Sequence, residues 1–226
     1  MHRSGTSCLA GSLQQRGLHL GKVHEWRPYN LKGNRENQRI MDLNNAVLTH
    51  SDGSWDCPPE RLAWDQACVD ERDAIVRQLQ DGCAGAWGFK DPRTLLTLAF
   101  WREGIADLRM VGTFRHPAQV ARSLQARDAR MSLAQGLELW RMYNQRLLDC
   151  HAEAAFPLVS FDAQEAAYRQ AVDDIAQQLG LARERPANDF FERILRTPDA
   201  DVVIDVPAPV LAVYERLIEA AGASRA

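Results

Sequence analysis

The chain has 226 residues, of which 46% are hydrophobic and 25% charged, enough to bury one core of substantial size. A formal net charge of −3 disfavours nonspecific nucleic-acid binding, which needs a basic surface. No run of eighteen apolar residues occurs, so no membrane span is expected, and the start Met1-His2-Arg3-Ser4-Gly5-Thr6 lacks a signal-peptide pattern. The five cysteines are odd in number and widely spaced, with no CxxC pair and no zinc-like His/Cys spacing. These features point to a cytoplasmic protein with reduced thiols and no metal.

The chain reads as a single domain over 1–226, without repeats or low-complexity runs. Residues 4–16 read as a helix with Leu9, Leu13 and Leu18 on its buried side. Residues 21–34, with Pro28 and Gly33, read as a loop. A helix over 35–49 would bury Ile40, Leu43, Val47 and Leu48, and a second loop follows. Pro59 then suits the first turn of a long helix reaching about Gln80. Ala86–Phe89 is a short strand candidate, and Thr94–Trp101 an apolar helix. Leu108–Phe114 and Pro157–Phe161 read as buried strands, with helices over 117–127 and 132–153 between them. Helices over 163–179, closed by Gly180, and over 208–221 complete the chain.

This alternation predicts an α/β fold: a three-layer sandwich with a mostly parallel central sheet. Such folds place a phosphate-binding loop directly after a strand. Here the loop begins at residue 2, so the first strand is expected to be missing through a truncated start.

Arg3-Ser4-Gly5-Thr6-Ser7 opens a helix whose unpaired amides and dipole favour an anion. Gly5 permits close backbone approach, the hydroxyls add donors, and Arg3 adds a charged fork. A helix cap is the plainer alternative for the same residues. The loop is not a Walker A sequence, because GxxxxGK[ST] is absent, which weighs against an ATPase or a P-loop kinase. A second anion site is read at Phe114-Arg115-His116-Pro117, where an arginine ends a buried strand and Ser123 lies two helical turns on. Arg3, Lys90, Arg93, Arg115 and Arg122 all fall at or near expected strand ends, which suggests a small anionic ligand.

With both sites in view, the chain resembles the PAPS-dependent sulfotransferases, whose donor is 3'-phosphoadenosine-5'-phosphosulfate. His2 to Ser7 looks like that family's 5'-phosphosulfate loop, and Val111 to Pro117 with Ser123 looks like its 3'-phosphate motif. Val159-Ser160-Phe161-Asp162, with the helix ending in Leu179-Gly180-Leu181, resembles its late strand and helix. Asn30 to Gly33 with Glu36, Ser54-Trp55, and Gly88 to Arg93 resemble a bacterial branch.

The resemblance implies a P-loop-NTPase-like frame and transfer of a sulfuryl group from PAPS to a hydroxyl or amine, releasing PAP. Ser4, Gly5, Thr6 and Ser7 would hold the 5'-phosphosulfate, with Arg3 reaching the moving group. Arg115 and Ser123 would bind the 3'-phosphate. Glu36 is the expected general base, with His24 as runner-up, and Lys90 or Arg3 the expected cation at the leaving oxygen. His116 is an alternative base at the turn, and no metal is expected. The acceptor, a small molecule, carbohydrate, lipid or peptide, is left open, with residues 21–60 expected to shape its pocket. A non-catalytic PAP-binding module of the same fold is the rival reading.

Overall fold

A computed structural model describes residues 1–26, 32–181, 189–191 and 204–223. The protein is α/β, mostly helical, with a two-stranded parallel sheet among the described residues. The chain divides into two compact units. The first comprises Met1–Thr6, Arg109–Ala171 and Glu192–Ala226, and the second Ser7–Leu108 and Val172–Phe191.

The first unit is built on strands β1 (Gly112–Phe114) and β2 (Leu158–Ser160), paired in parallel with Gly112 opposite Leu158. Both strands are shorter than the apolar runs predict. Pro157 has no amide to donate, so the ladder begins only where the Gly112 amide donates to the Pro157 carbonyl. Pro117 opens α5 (Pro117–Arg127), where a missing N–H costs nothing. Ser132 and Gln135 cap each other's backbone at the start of α6 (Leu133–Glu153), a reciprocal capping box. Gly136 lets α5 and α6 approach closely, since a Cβ there would lie 3.1 Å from the Ala121 backbone. The final helix, α8 (Ala208–Ala223), packs on α6 and β2. Phe114, Trp140, Tyr143, Val159 and Leu217 fill this core and are fully buried.

The second unit opens with the remainder of α1 (Thr6–Gln15), followed by α2 (Gln38–His50) and α3 (Gln66–Asp81). Asn37 caps α2 and Asp65 caps α3 through their side chains. The helix expected from Pro59 therefore starts seven residues later, at Gln66. Proline disfavours a helical conformation in the residue before it, and the Ala63 amide is taken by the Ser51 hydroxyl at 2.9 Å. Asp65 then supplies the real cap.

The expected strand over 86–89 reduces to one parallel bridge between His19 and Trp87. Gly17 and Gly21 both hold positive φ and turn the chain on either side of His19, leaving no length for a ladder. The helix expected over 94–101 is broken into a 3-10 turn (Pro92–Leu95) and α4 (Leu98–Gly104). Asn44, fully buried, sits at this break and accepts from the Thr97 hydroxyl at 2.6 Å and the Trp101 indole at 2.8 Å. Ile40, Val47, Ile75, Leu79, Phe100 and Trp101 form the core around it.

The helix α7 (Glu165–Gln178) ends as its sequence predicts. Gly180 has φ 69°, its amide donates to Gln177, and the Leu181 amide donates to Ala176. Among the described residues no helix is long and apolar enough to cross a membrane.

Candidate functional site

In the first unit the N-terminal loop lies at the carboxyl ends of β1 and β2. The Thr113 hydroxyl donates to the Ser4 carbonyl at 3.0 Å, and Ser4 is fully buried. Gly5 holds φ 80° against the Phe161 ring, 2.3 Å from where a Cβ would stand. Glycine is required there twice over, by conformation and by space. Thr6 is the first residue of α1, so the loop opens directly into a helix start.

Arg3, itself at φ 63°, donates from Nε to the Ser123 hydroxyl at 2.6 Å. The structure thus joins two residues that the sequence assigns to opposite ends of a nucleotide anion. Burial, and then the charges of Arg127 and Arg115, hold the Arg3 guanidinium below the usual arginine range. Arg127 and Arg115 therefore stand close enough to Arg3 to repel its charge.

Arg115 is partly answered by Asp162, its Nε lying 3.3 Å from Oδ1, and it stacks over the Phe161 ring. Asp162 also accepts the His116 amide. The Trp140 indole donates to the Arg115 carbonyl at 3.0 Å, which fixes the turn after β1. The His116 ring packs edge-on against Tyr214, 5.0 Å between centroids. Burial, and then the Asp162 charge, raise the Tyr214 hydroxyl above its ordinary range.

In the second unit Glu36 and Lys90 form a buried ion pair, Nζ to Oε1 2.6 Å. Lys90 also donates to the Asn34 carbonyl at 2.9 Å and the Ser7 hydroxyl at 3.3 Å. The other Glu36 oxygen accepts from the Asn34 amide at 2.8 Å, with Arg93 Nη2 3.8 Å away. Arg93 grips Asp91 through Nε and Nη2. Burial pushes the Asp91 carboxyl up, against the pull of Arg93.

Of the predicted residues, Arg3, Ser4, Gly5, Thr6, Arg115 and Ser123 belong to the first unit, and Ser7, Glu36 and Lys90 meet in the second. Lys90 pairs with Glu36. His24 turns its ring nitrogen to Gln38 at 3.0 Å, and its backbone amide donates to the Glu36 carbonyl. Asn30 and Leu31, part of the expected acceptor segment, lie outside the described residues. Trp140 belongs to the buried core of the first unit, while Trp64 and Trp87 pack against that of the second.

Sequence reasoning missed Arg127, Asp162 and Asn34. Asp162 and Asn34 fall inside quoted motifs, but only the fold shows which arginine or carboxylate each one touches. Arg127 sits four residues after Ser123, so helical spacing gave a signal. Compared with family models, curated proteins and solved structures, the chain matches none.

Proposed function

We propose that the protein is a PAPS-dependent sulfotransferase built on a P-loop-like frame. The observation that carries this reading is the largely buried Arg3, bonded to the Ser123 hydroxyl and repelled by the charges of Arg127 and Arg115, beside a glycine loop that opens a helix. A buried guanidinium beside other positive charges gains from an anion that satisfies it. In this reading the first unit holds the phosphosulfate and the 3'-phosphate.

By the resemblance, Glu36 would be the proton acceptor and Lys90 the cation, and these two form the buried ion pair of the second unit. In such a transfer the acceptor hydroxyl gives its proton to the base as its oxygen bonds to sulfur. The bond from sulfur to the bridging phosphate oxygen breaks, and PAP leaves with that electron pair. Transfer of this kind is driven by positioning and charge stabilisation, by analogy with phosphoryl transfer.

A second reading is favoured by one observation: Lys90 has three acceptors and both Glu36 oxygens are engaged. A module that holds PAP without turnover needs no release of that pair. A thermal shift with PAP, against ADP and ATP-Mg²⁺, tests the anion site. At a hundredfold excess over Kd, binding adds about 2.7 kcal/mol, which for a chain of this size raises Tm by roughly 5–10 °C. No shift with PAP in folded protein refutes both readings, and PAP binding without transfer to any acceptor favours the module.

A further inference from the structure

In the second unit, away from the residues assigned above, His50, Asp65 and Cys68 bring one nitrogen, one oxygen and one sulfur together. Their ligand atoms all lie within 4.8 Å of one another. We propose that this cluster is a Zn²⁺ site with three protein ligands and an open fourth position for water.

The scaffold supports the geometry. His50 is the last residue of α2, Asp65 is the N-cap of α3, and Cys68 follows one turn into α3. The loop joining the two helices is pinned at both ends by one hydroxyl. Ser51 Oγ donates to the Val47 carbonyl at 2.7 Å and accepts the Ala63 amide at 2.9 Å. The residue after His50 and the residue two before Asp65 are thereby held together, so the site is closed by the fold and not by the metal alone.

The carboxylate is oriented as well. Asp65 Oδ1 accepts the Cys68 amide at 2.9 Å, which leaves Oδ2 facing His50 Nε2 at 3.5 Å. A tetrahedral zinc with bonds of about 2.0–2.3 Å sets its ligands roughly 3.3–3.7 Å apart. The imidazole and carboxylate already stand at that spacing, and the sulfur lies within 4.8 Å of both. The His50 and Asp65 side chains are about half exposed, which gives an ion a path from solvent, while Cys68 is buried against Ile40, Val47 and Ile75.

The donor set selects the metal. Thiolate and imidazole favour a borderline ion such as Zn²⁺, whereas Mg²⁺ and Ca²⁺ take oxygen ligands. On binding, the Cys68 thiol gives its proton to solvent and the sulfur lone pair goes to the ion. Sequence spacing hides the site, because fourteen residues separate His50 from Asp65 and the pattern contains no CxxC or HxxxH.

The test uses the full chain, stripped with chelator and titrated first with Co²⁺ and then with Zn²⁺. The wild type should take one Co²⁺ with a near-ultraviolet thiolate-to-cobalt band, and Zn²⁺ should abolish that band. Cys68→Ser should lose the band, and Cys57→Ser, a neighbouring exposed thiol, should keep it. His50→Ala changes an exposed side chain, and Asp65→Asn preserves the helix cap. Each should weaken Co²⁺ binding by about tenfold or more, on the scale at which supporting groups alone matter. A band that survives Cys68→Ser, affinity unchanged in both His50→Ala and Asp65→Asn, or no band in folded wild type would overturn the proposal. Because no variant touches Arg3, Ser123, Glu36 or Lys90, failure here leaves the sulfotransferase reading standing.

Discussion

Lys90→Met removes the cation from a carboxylate that cannot reach bulk water. The two side chains are 11% and 7% exposed, and their charges stand 2.6 Å apart. At an effective dielectric of about 20, the gross attraction at that distance is roughly 6 kcal/mol. Desolvation offsets much of it, yet deleting one member of a buried pair still costs about 3–5 kcal/mol, because the survivor keeps its burial penalty. Asn34 and the more distant Arg93 remain beside Glu36, which sets the expected cost near the lower end. A loss of about 3 kcal/mol lowers Tm by roughly 6–12 °C in a chain of this length. Glu36→Gln alone should cost less, since Lys90 keeps the Asn34 carbonyl and the Ser7 hydroxyl. The double variant should be less damaged than the two single losses added, by about 1–3 kcal/mol of coupling. Urea and thermal melts of all four proteins measure this. Losses that add to within about 0.5 kcal/mol would refute the coupling and the buried pair with it.

Gly5→Ala places a methyl group 2.3 Å from Phe161 at φ 80°. Left-handed strain of roughly 1–2 kcal/mol and overpacking of roughly 1–3 kcal/mol should lower stability and abolish the PAP-induced shift in the same melts. Asn44→Ala removes the acceptor shared by the Thr97 hydroxyl and the Trp101 indole, and unfolding in urea should show a loss of about 2–4 kcal/mol. The Asp128 carboxyl is lowered to about 2, chiefly by the Arg130 side chain and then by its amide. A lowered acid stabilises above its unfolded value and loses that contribution as pH falls through the folded one. An NMR titration should therefore place its midpoint near 2, and Arg130→Ala should raise it toward the ordinary carboxyl value.

Much of the helical frame was legible in the sequence, because caps and apolar spacing are local. Pro117 and Gly180 each mark a boundary that neighbouring backbone groups enforce, whereas the helix expected from residue 35 starts only at Gln38, where Asn37 caps it. The failures came from distant partners. Nothing near Pro59 shows that Ser51 takes the Ala63 amide, and nothing near Trp87 shows how little chain lies between Gly17 and Gly21. The same division holds for the candidate site. Residue types in the loop and after β1 point to an anion from their chemistry alone. The Arg3–Ser123 bond, the Asp162 bridge and the Lys90–Glu36 pair span up to 120 residues of chain and depend on tertiary structure.

The interrupted make-up of the first unit has a consequence for how the chain acquires its form. α2 and α3 are near neighbours in sequence, so their shared core can assemble soon after α3 is synthesised, by short loop closure. β1 must wait for a partner beyond two whole helices, and both strands lack their α8 covering until that helix, about fifty residues after β2, has been made. During that interval the edge of β1 and the apolar faces of α5 and α6 stand open to other chains. A nascent polypeptide stopped after β2 is the form most in need of a chaperone, and aggregation at that length, relieved once α8 is included, is the expected signature.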